Sequence, residues 1–588
     1  MKKQLALFWI LLSVASLARA QYVIKDNSEL LNLKKLPQEK VYLNHTGPVV
    51  FAGEYINYAF YNFNAQNSRL STISDIGYVA LVNEQKEYVL EQKIRLTNAK
   101  GQGDFFINTD VPSGNYKLLA YTQWMKNNGL KQVYKDDIVV INPYQVDQGA
   151  LIGDVSDNQT EALKVQPVDS SMILIQLDKN IHQPREKVVL NIKNYKAKLG
   201  HGNYTLKVQQ KEAIQAQPVM NAMEFGTTYM GVDGELLKKA GDSLYLPEQR
   251  GELLYGTVKN NDGPVANADV VVSIPGEEFL TKFAVTDESG NFYTYLKKQY
   301  KTPRAIIQVL NGDKNMVVEQ RYASKLDVSG LNFGNFHLKP EYRDEIIGRS
   351  VHNQLENQFF SAKPDSVLLG FPIDPFDGGM PETLRLDEYT QFPTFEETLV
   401  ELFSFAGYRN NGKGNDYIRV AQDFETYDEA NNFDPAIVVI DGVFIPNHEA
   451  IKEFDARKIE TISLVRDQFV LLGKSYQGML YVKTYDGDFY QNYQPEVGVN
   501  VDIKKPLDNK NYYKQFYAEN DSLGYGSIPD YRRLLLWEPH VEVKDEELQF
   551  EFYTSDLTGE FEVVFDGFTT YGKPISFKKI FVVREENQ

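Results

Sequence analysis

Gly473-Lys474-Ser475-Tyr476-Gln477-Gly478 sets a serine between two glycines, the composition of a nucleophile elbow. An elbow needs G-x-S-x-G, so that a strained strand-to-helix turn presents the hydroxyl. Here the glycines stand one residue too far apart, which speaks against a catalytic Ser475. Gly407-Tyr408-Arg409-Asn410-Asn411-Gly412-Lys413-Gly414 reads G-x-x-x-x-G-K, the outline of a phosphate-cradling loop. Gly414 occupies the place of the hydroxyl residue that would hold Mg²⁺, and the segment follows an expected helix rather than a strand. A Gly/Asn hairpin explains it better. His45, His182, His201, His337, His352, His448 and His540 form no local metal-ligand spacing. The acid pairs Glu277-Glu278 and Glu396-Glu397 are sequence neighbours, which do not face one site. Asp287, Asp374 and Asp377 fall in turns, where Asp is expected structurally. The chain has no cysteine, which excludes disulfides, thiolate metal sites and thiol nucleophiles. The residues therefore point to no catalytic centre, no cofactor and no metal.

A chain of 588 residues is too long for one core. Hydrophobic content of 42% with 24% charged residues reads as globular, and 37 Tyr with 34 Phe tilt the expectation toward strands. The net charge of −18 disfavours a partner held through phosphates, so nucleic acid is not expected. Residues 1–20 read as a secretory signal: Lys2-Lys3, an apolar run from Leu5 to Ala18, then the small-x-small site Ala18-Arg19-Ala20. The expected mature chain starts at Gln21, and no later stretch has the length and apolarity of a spanning helix.

The segment that organises the chain runs from Asp434 to Asp488. Ala436 to Ile440 is a short β-branched run, the mark of a buried strand, and Asp441-Gly442 is a turn signal. Asn447 to Phe454 suits a short helix, Lys458 to Arg466 a second strand, Leu471 to Gly478 a Gly-punctuated loop, and Met479 to Thr484 a third strand. Upstream, Thr394 with Glu397 three residues later is a capping box, and Phe395, Leu399, Leu402 and Phe403 share one helical face. The whole reads as a small α/β domain.

Three motifs occur in order here: Val439-Ile440-Asp441-Gly442, Ile459-Glu460-Thr461-Ile462-Ser463-Leu464-Val465, and Gly478-Met479-Leu480-Tyr481-Val482-Lys483-Thr484. Together they resemble the plug domain of TonB-dependent outer-membrane receptors. A receptor plug sits inside a barrel whose strands each need about 9–11 residues. Only 98 residues follow Tyr490, so the resemblance implies a plug-like domain without its own pore.

Elsewhere short strands recur between Gly-led turns, the pattern of sandwiches. Glu39-Lys40-Val41-Tyr42-Leu43 and Pro112-Ser113-Gly114-Asn115-Tyr116-Lys117-Leu118 resemble an α2-macroglobulin-type MG2 domain. Asp178-Lys179 with Pro184-Arg185-Glu186-Lys187-Val188 resembles the opening of a second macroglobulin-like module. Gly263-Pro264-Val265-Ala266-Asn267-Ala268 and Thr286-Asp287-Glu288-Ser289-Gly290-Asn291-Phe292 resemble carboxypeptidase-regulatory-like repeats, which carry no peptidase chemistry. Phe552 to Gly559 and its surroundings resemble a C-terminal macroglobulin-like sandwich. Macroglobulins trap proteases through a thioester, which needs the cysteine this chain lacks.

The expected architecture is mostly β and multidomain, with tandem β-sandwich modules plus one small α/β plug-like domain. Its expected parts are a signal (1–20), an MG2-like sandwich (21–145), a linker (146–171) and a second sandwich (172–250). A regulatory-like sandwich (251–325), a connection (326–384), the plug-like domain (385–495) and a C-terminal sandwich (496–588) complete the chain. Such a string suits a non-enzymatic accessory, exported to the periplasm or cell surface, that docks on an outer-membrane barrel or an uptake or export complex. Docking is expected at the turn Asp441-Gly442 and along Leu471, Gly473, Ser475, Tyr476 and Gly478. The alternative is a binder of extracellular glycan or peptide through the sandwiches.

Overall fold

The computed structural model describes residues 22–152, 167–168, 171–230, 236, 238–310, 312–368, 382–410, 416–422, 434–517 and 525–585. The expected signal, most of the expected linker and the run 372–379 lie outside them. The chain is a multidomain β protein of many separate sheets. It divides into two compact units: one of residues 250–324 and 370–505, the other of residues 21–249, 325–369 and 506–588.

The larger unit begins with a sandwich. One sheet pairs Glu39–His45, Tyr55–Asn64 and Lys100–Phe106. The other runs Val49–Phe51, Tyr134–Ile141, Gly114–Tyr121, Ile76–Asn83 and Tyr88–Arg95. Strands such as Tyr55–Asn64 are buried almost throughout, because both faces are covered. Tyr42, Tyr58, Phe60 and Tyr61 fill the core. Glu39 enters it fully buried, and its carboxylate accepts from Asn62, Ser71, Ser74 and Thr122. Buried carboxylates persist only when satisfied in this way.

The second sandwich corrects the expected boundaries. Its sheets are Ile173–Leu177, Lys187–Asn194 and Glu547–Tyr553, and Ile181–His182, Pro574–Val583, Gly559–Thr569, Gly202–Gln210 and Leu534–Val543. Half of its strands thus come from the segment expected to form a separate C-terminal sandwich. Gly202–Gln210 is paired on both sides by C-terminal strands. Tyr204, Leu206 and Val208 are buried among Phe561, Val563 and Phe565. Neither half could bury its apolar face alone, which is the physical reason they join. The region expected as a bare connection contains the helix Arg343–Gln358, whose buried residues are Arg349, Ser350 and Asn353.

The smaller unit holds a third sandwich and an α/β layer. Glu252–Asn260 pairs with Gly263–Pro264, Asn291–Leu296 and Val317–Arg321. The facing sheet is Leu280–Val285, Asp269–Ile274, Arg304–Val309 and Gly498–Asp502, so a strand from beyond the α/β segment closes it. The α/β layer is a mixed sheet ordered Glu382–Arg385, Ile459–Leu471, Lys474–Thr484, Ile437–Ile440, Val443–Phe444. Ile437–Ile440 runs parallel to Lys474–Thr484, which is antiparallel to Ile459–Leu471. Val438 and Ile440 join a core with Phe395, Leu399 and Leu480, whereas Ile437 and Val439 cluster with Phe279 and Val271 of the third sandwich. Cover on both faces explains the unbroken apolar run. The helix Phe395–Leu402 starts as expected, with Thr394 Oγ1 accepting from Glu397 N at 3.2 Å. The expected helix over Asn447 to Phe454 is only a 3₁₀ turn, His448–Ile451.

Candidate functional site

Asp441 and Gly442 close the turn between Ile437–Ile440 and Val443–Phe444 with φ of 46° and 84°. Asp441 is buried, and its carboxylate accepts from Thr484 N at 2.8 Å, Thr484 Oγ1 at 2.5 Å and Phe489 N at 3.1 Å. Its carbonyl accepts from Gly276 N. A side chain at Gly442 would run into Phe279, 2.3 Å from an ideal Cβ. Both residues are therefore spent inside the unit: they tie the α/β sheet to the third sandwich and present nothing to a partner.

Leu471 to Gly478 is not the expected loop. Ile459–Leu471 and Lys474–Thr484 form one long hairpin, closed by Leu472 (φ 52°) and Gly473 (φ 75°). Positive φ at both central positions matches the right-handed twist of the flanking strands. Leu471, Leu472 and Phe469 pack with the apolar cluster around Phe279, and Lys474 pairs with Asp269 at 2.6 Å. Tyr476 and Gly478 are buried, and an ideal Cβ at Gly478 would stand 2.4 Å from Val420. Ser475 is exposed and lies opposite Val470, itself 67% exposed. Of the expected docking residues, Gly473 and Ser475 reach the surface. Val470 adds an apolar group there that the sequence reading missed; alternation along the hairpin is the signal that would have found it.

The remaining chemistry-bearing motifs have structural roles. Ala406–Asn410 and Asp416–Val420 are the two arms of an antiparallel hairpin, not the strand-to-helix passage of a phosphate loop. Residues 411–415 lie outside the described set. His448 Nδ1 accepts from Ile418 N at 2.9 Å, and burial lowers its pKa to about 4. His540 donates to Gly101 O at 2.9 Å, and burial, aided by Lys100, lowers it to about 3. Asp287 Oδ1 accepts from Ser289 N and Asn291 N, a turn of its own. Among the described residues no group of three or more His, Cys, Asp or Glu is placed to hold a metal ion. Nor is any described helix long and apolar enough to cross a membrane.

Sequence reasoning missed a cleft in the larger unit. It has a volume of about 280 Å³, and the helix Arg343–Gln358 forms one wall. Arg349 lines it, donating to Glu54 at 2.7 Å and Glu212 at 3.0 Å, with its guanidinium over the Phe51 ring at 4.3 Å. Burial pushes the Glu54 carboxyl up, but Arg349 overrides this and leaves it below the ordinary value. Nearby, burial raises Asp530 and the adjacent Arg532 outweighs it, giving a pKa of about 2. Lys363 bridges Glu356 at 2.8 Å and Asp530 at 3.2 Å. Lys510 bridges Asp104 at 2.7 Å and Asp365 at 2.6 Å. At the rim Tyr55 stacks on Phe360, centroids 5.9 Å apart.

No family model matches the chain, and no curated protein does. Solved structures to which it is similar include Salmonella α2-macroglobulin, at 10% identity over 93% of this chain and 39% of that one, with a TM-score of 0.23. Native Escherichia coli α2-macroglobulin gives 9% identity over 96% and 40%, again with a TM-score of 0.23. An Escherichia coli adhesin gives 10% identity over 30% and 46%, with a TM-score of 0.13. The chain spans about two fifths of the length of the macroglobulins it is similar to.

Proposed function

We propose that the chain is a non-enzymatic envelope accessory that docks on an outer-membrane barrel or on an uptake or export complex. One observation supports this reading most. The strand Ile437–Ile440 leading into Asp441-Gly442, the strand Ile459–Leu471 and the strand Lys474–Thr484 share one sheet, with Lys474–Thr484 between the other two, so the three segments behind the plug resemblance are neighbours. Among the described residues after Tyr490, the strands Gly498–Asp502, Glu547–Tyr553 and Gly559–Thr569 pair with sandwich strands upstream of it. The third sandwich, read as regulatory-like, braces the plug-like sheet: Gln308 donates to Phe444 O at 2.7 Å, and Phe444 N to Ser273 Oγ at 3.1 Å. The docking face in this reading is the exposed side of the hairpin, Val470 with Ser475, rather than the buried Asp441-Gly442 turn.

The test is purification of the tagged protein from its native envelope in mild detergent. A stoichiometric outer-membrane barrel is the expected companion, and it is lost in a Val470→Asp/Ser475→Glu variant that melts like the parent. Recovery of the chain alone, as a washed-out soluble species, would refute docking.

A further inference from the structure

The second sandwich leaves one strand edge open. In its three-stranded sheet Glu547–Tyr553 is the outer strand beside Lys187–Asn194, and no described strand pairs with its other side. Thr554 N donates to Glu186 O and Asn194 N to Glu546 O. The ladder between these bonds turns Leu548, Phe550 and Phe552 toward Lys187–Asn194. Glu547, Gln549 and Glu551 turn their N–H and C=O groups outward, and all three residues are exposed. The open stretch stops at Tyr553, whose carbonyl accepts from Arg532 Nη2 at 3.4 Å.

Other edges in the same unit are closed. On the far side of this sheet the outer strand is Ile173–Leu177, where Ile173 and Ile175 are exposed by 0% and 1%. The outer strand Tyr88–Arg95 of the first sandwich is met by Leu507, whose N–H donates to Lys93 O at 2.8 Å. Glu547–Tyr553 has no comparable guard. It contains no proline, and its register with Lys187–Asn194 runs without a bulge. Its charges point to solvent, where Glu547 pairs with Lys193 at 3.6 Å and Glu551 with Lys187 at 2.9 Å. An unguarded edge is a template for one more strand.

Side-chain alternation specifies that strand. Leu548 and Phe550 are half-buried at the border of the core, so residues opposite them on that face complete apolar cover. Glu547 and Glu551 are half-exposed and can each take a second cation from the other side. A second copy of this chain is unsuited: pairing about Gln549 sets Glu547 against Glu551, like charges face to face.

We propose that this edge receives an extended segment of a partner protein as a fourth, antiparallel strand, in which apolar and polar residues alternate and lysine or arginine recurs four residues apart. Its cations lie opposite Glu551 and Glu547, and its apolar side chains opposite Phe550 and Leu548. Exposed Phe516, edge-on to Tyr553 at 5.7 Å, extends the apolar contact at one end. The site is separate from the hairpin invoked for docking and does not depend on it.

The test uses the full-length chain and the capped peptide Thr-Lys-Val-Thr-Val-Lys-Thr, followed by fluorescence anisotropy and amide hydrogen exchange. Saturable binding at millimolar concentration or below is expected, with exchange slowed at Glu547, Gln549 and Glu551. Methylating the backbone nitrogens of the second, fourth and sixth peptide residues removes the N–H groups that face the edge, and should weaken binding by about tenfold or more. A peptide with glutamate in place of lysine should bind more weakly to the parent and more tightly to Glu547→Lys/Glu551→Lys. Gln549→Pro breaks no bond to Lys187–Asn194, because that N–H points outward; it should abolish binding with the melting profile unchanged. Three results would overturn the proposal: no saturable binding of the lysine peptide, equal binding of its methylated form, or equal binding of the glutamate peptide to the parent.

Discussion

Replacing Arg349 by Met tests the buried ion network most sharply. The guanidinium is 5% exposed and lies 2.7 Å from Glu54, whose side chain is 15% exposed. Methionine keeps the apolar stem but strands the Glu54 carboxylate beside Phe51. Removing one partner of a buried pair costs about 3–5 kcal/mol. Spread over a cooperative unit of some 200–350 residues, that lowers the transition of the larger unit by roughly 5–10 °C. The sign with pH follows from the direction of the Glu54 shift. Its pKa lies below the unfolded value, so its contribution is present above that value and lost as pH falls through the folded one. In Arg349→Met burial is opposed on Glu54 by Arg533 and the Phe51 N–H alone, and its pKa rises. The deficit of the variant is therefore largest at neutral pH and shrinks as pH falls from the raised Glu54 pKa of the variant toward the lowered one of the parent. Scanning calorimetry at pH 7 and pH 4 measures this, with Glu54→Gln and the double variant completing a cycle. Coupling of about 1–3 kcal/mol is expected. A shift under about 2 °C at pH 7, or an additive cycle, would refute the reasoning.

Other outcomes follow from single contacts. His448 is neutral when folded down to about pH 4, whereas the unfolded residue protonates near 6.5, so the smaller unit loses about 3 kcal/mol as pH falls through that window. His448→Gln, which can still accept from Ile418 N, should flatten this acid limb in pH-dependent urea titrations. Gly478→Ala should destabilise the smaller unit by about 2 kcal/mol or more, because the new Cβ meets Val420 at a positive φ. Gly473→Ala, with open space around it, should cost only about 1 kcal/mol of turn strain; the two variants are compared by thermal melting. A chain ending at 505 lacks the strands Leu534–Val543 through Pro574–Val583. Limited proteolysis should then cut within 172–210, a segment that stays protected in the full chain.

What the sequence conveys well is local. The helix Phe395–Leu402 is announced by its capping residue and apolar face, and Ile437–Ile440 by a β-branched run stopped at Asp441-Gly442. Pairing over long separations is not conveyed. Period-two alternation in Tyr204, Leu206 and Val208 says that one face is buried, but not that Phe561, Val563 and Phe565 bury it. The second and C-terminal modules therefore read as two sandwiches where there is one. The helix Arg343–Gln358 escaped notice because its buried stripe is Arg349, Ser350 and Asn353, so apolar periodicity is missing. Pro340 followed by Glu341, Asp344 and Glu345 was the signal available at its start. The hairpin read as a loop because Gly473 and Gly478 look alike in sequence. One supplies a turn conformation and the other makes room for Val420 inside a strand. As for the site, Asp441 and Gly442 stand out in sequence for reasons that prove internal, and the cleft gave no motif because its walls come from segments hundreds of residues apart.

Docking through the hairpin is the central claim, and a photo-crosslinking residue placed at Val470 in the native envelope tests it most directly. The account predicts a discrete adduct with an outer-membrane barrel protein, lost when the same residue is placed at buried Val439. A properly exported, folded chain that gives no adduct from Val470 or from Ser475 would contradict it.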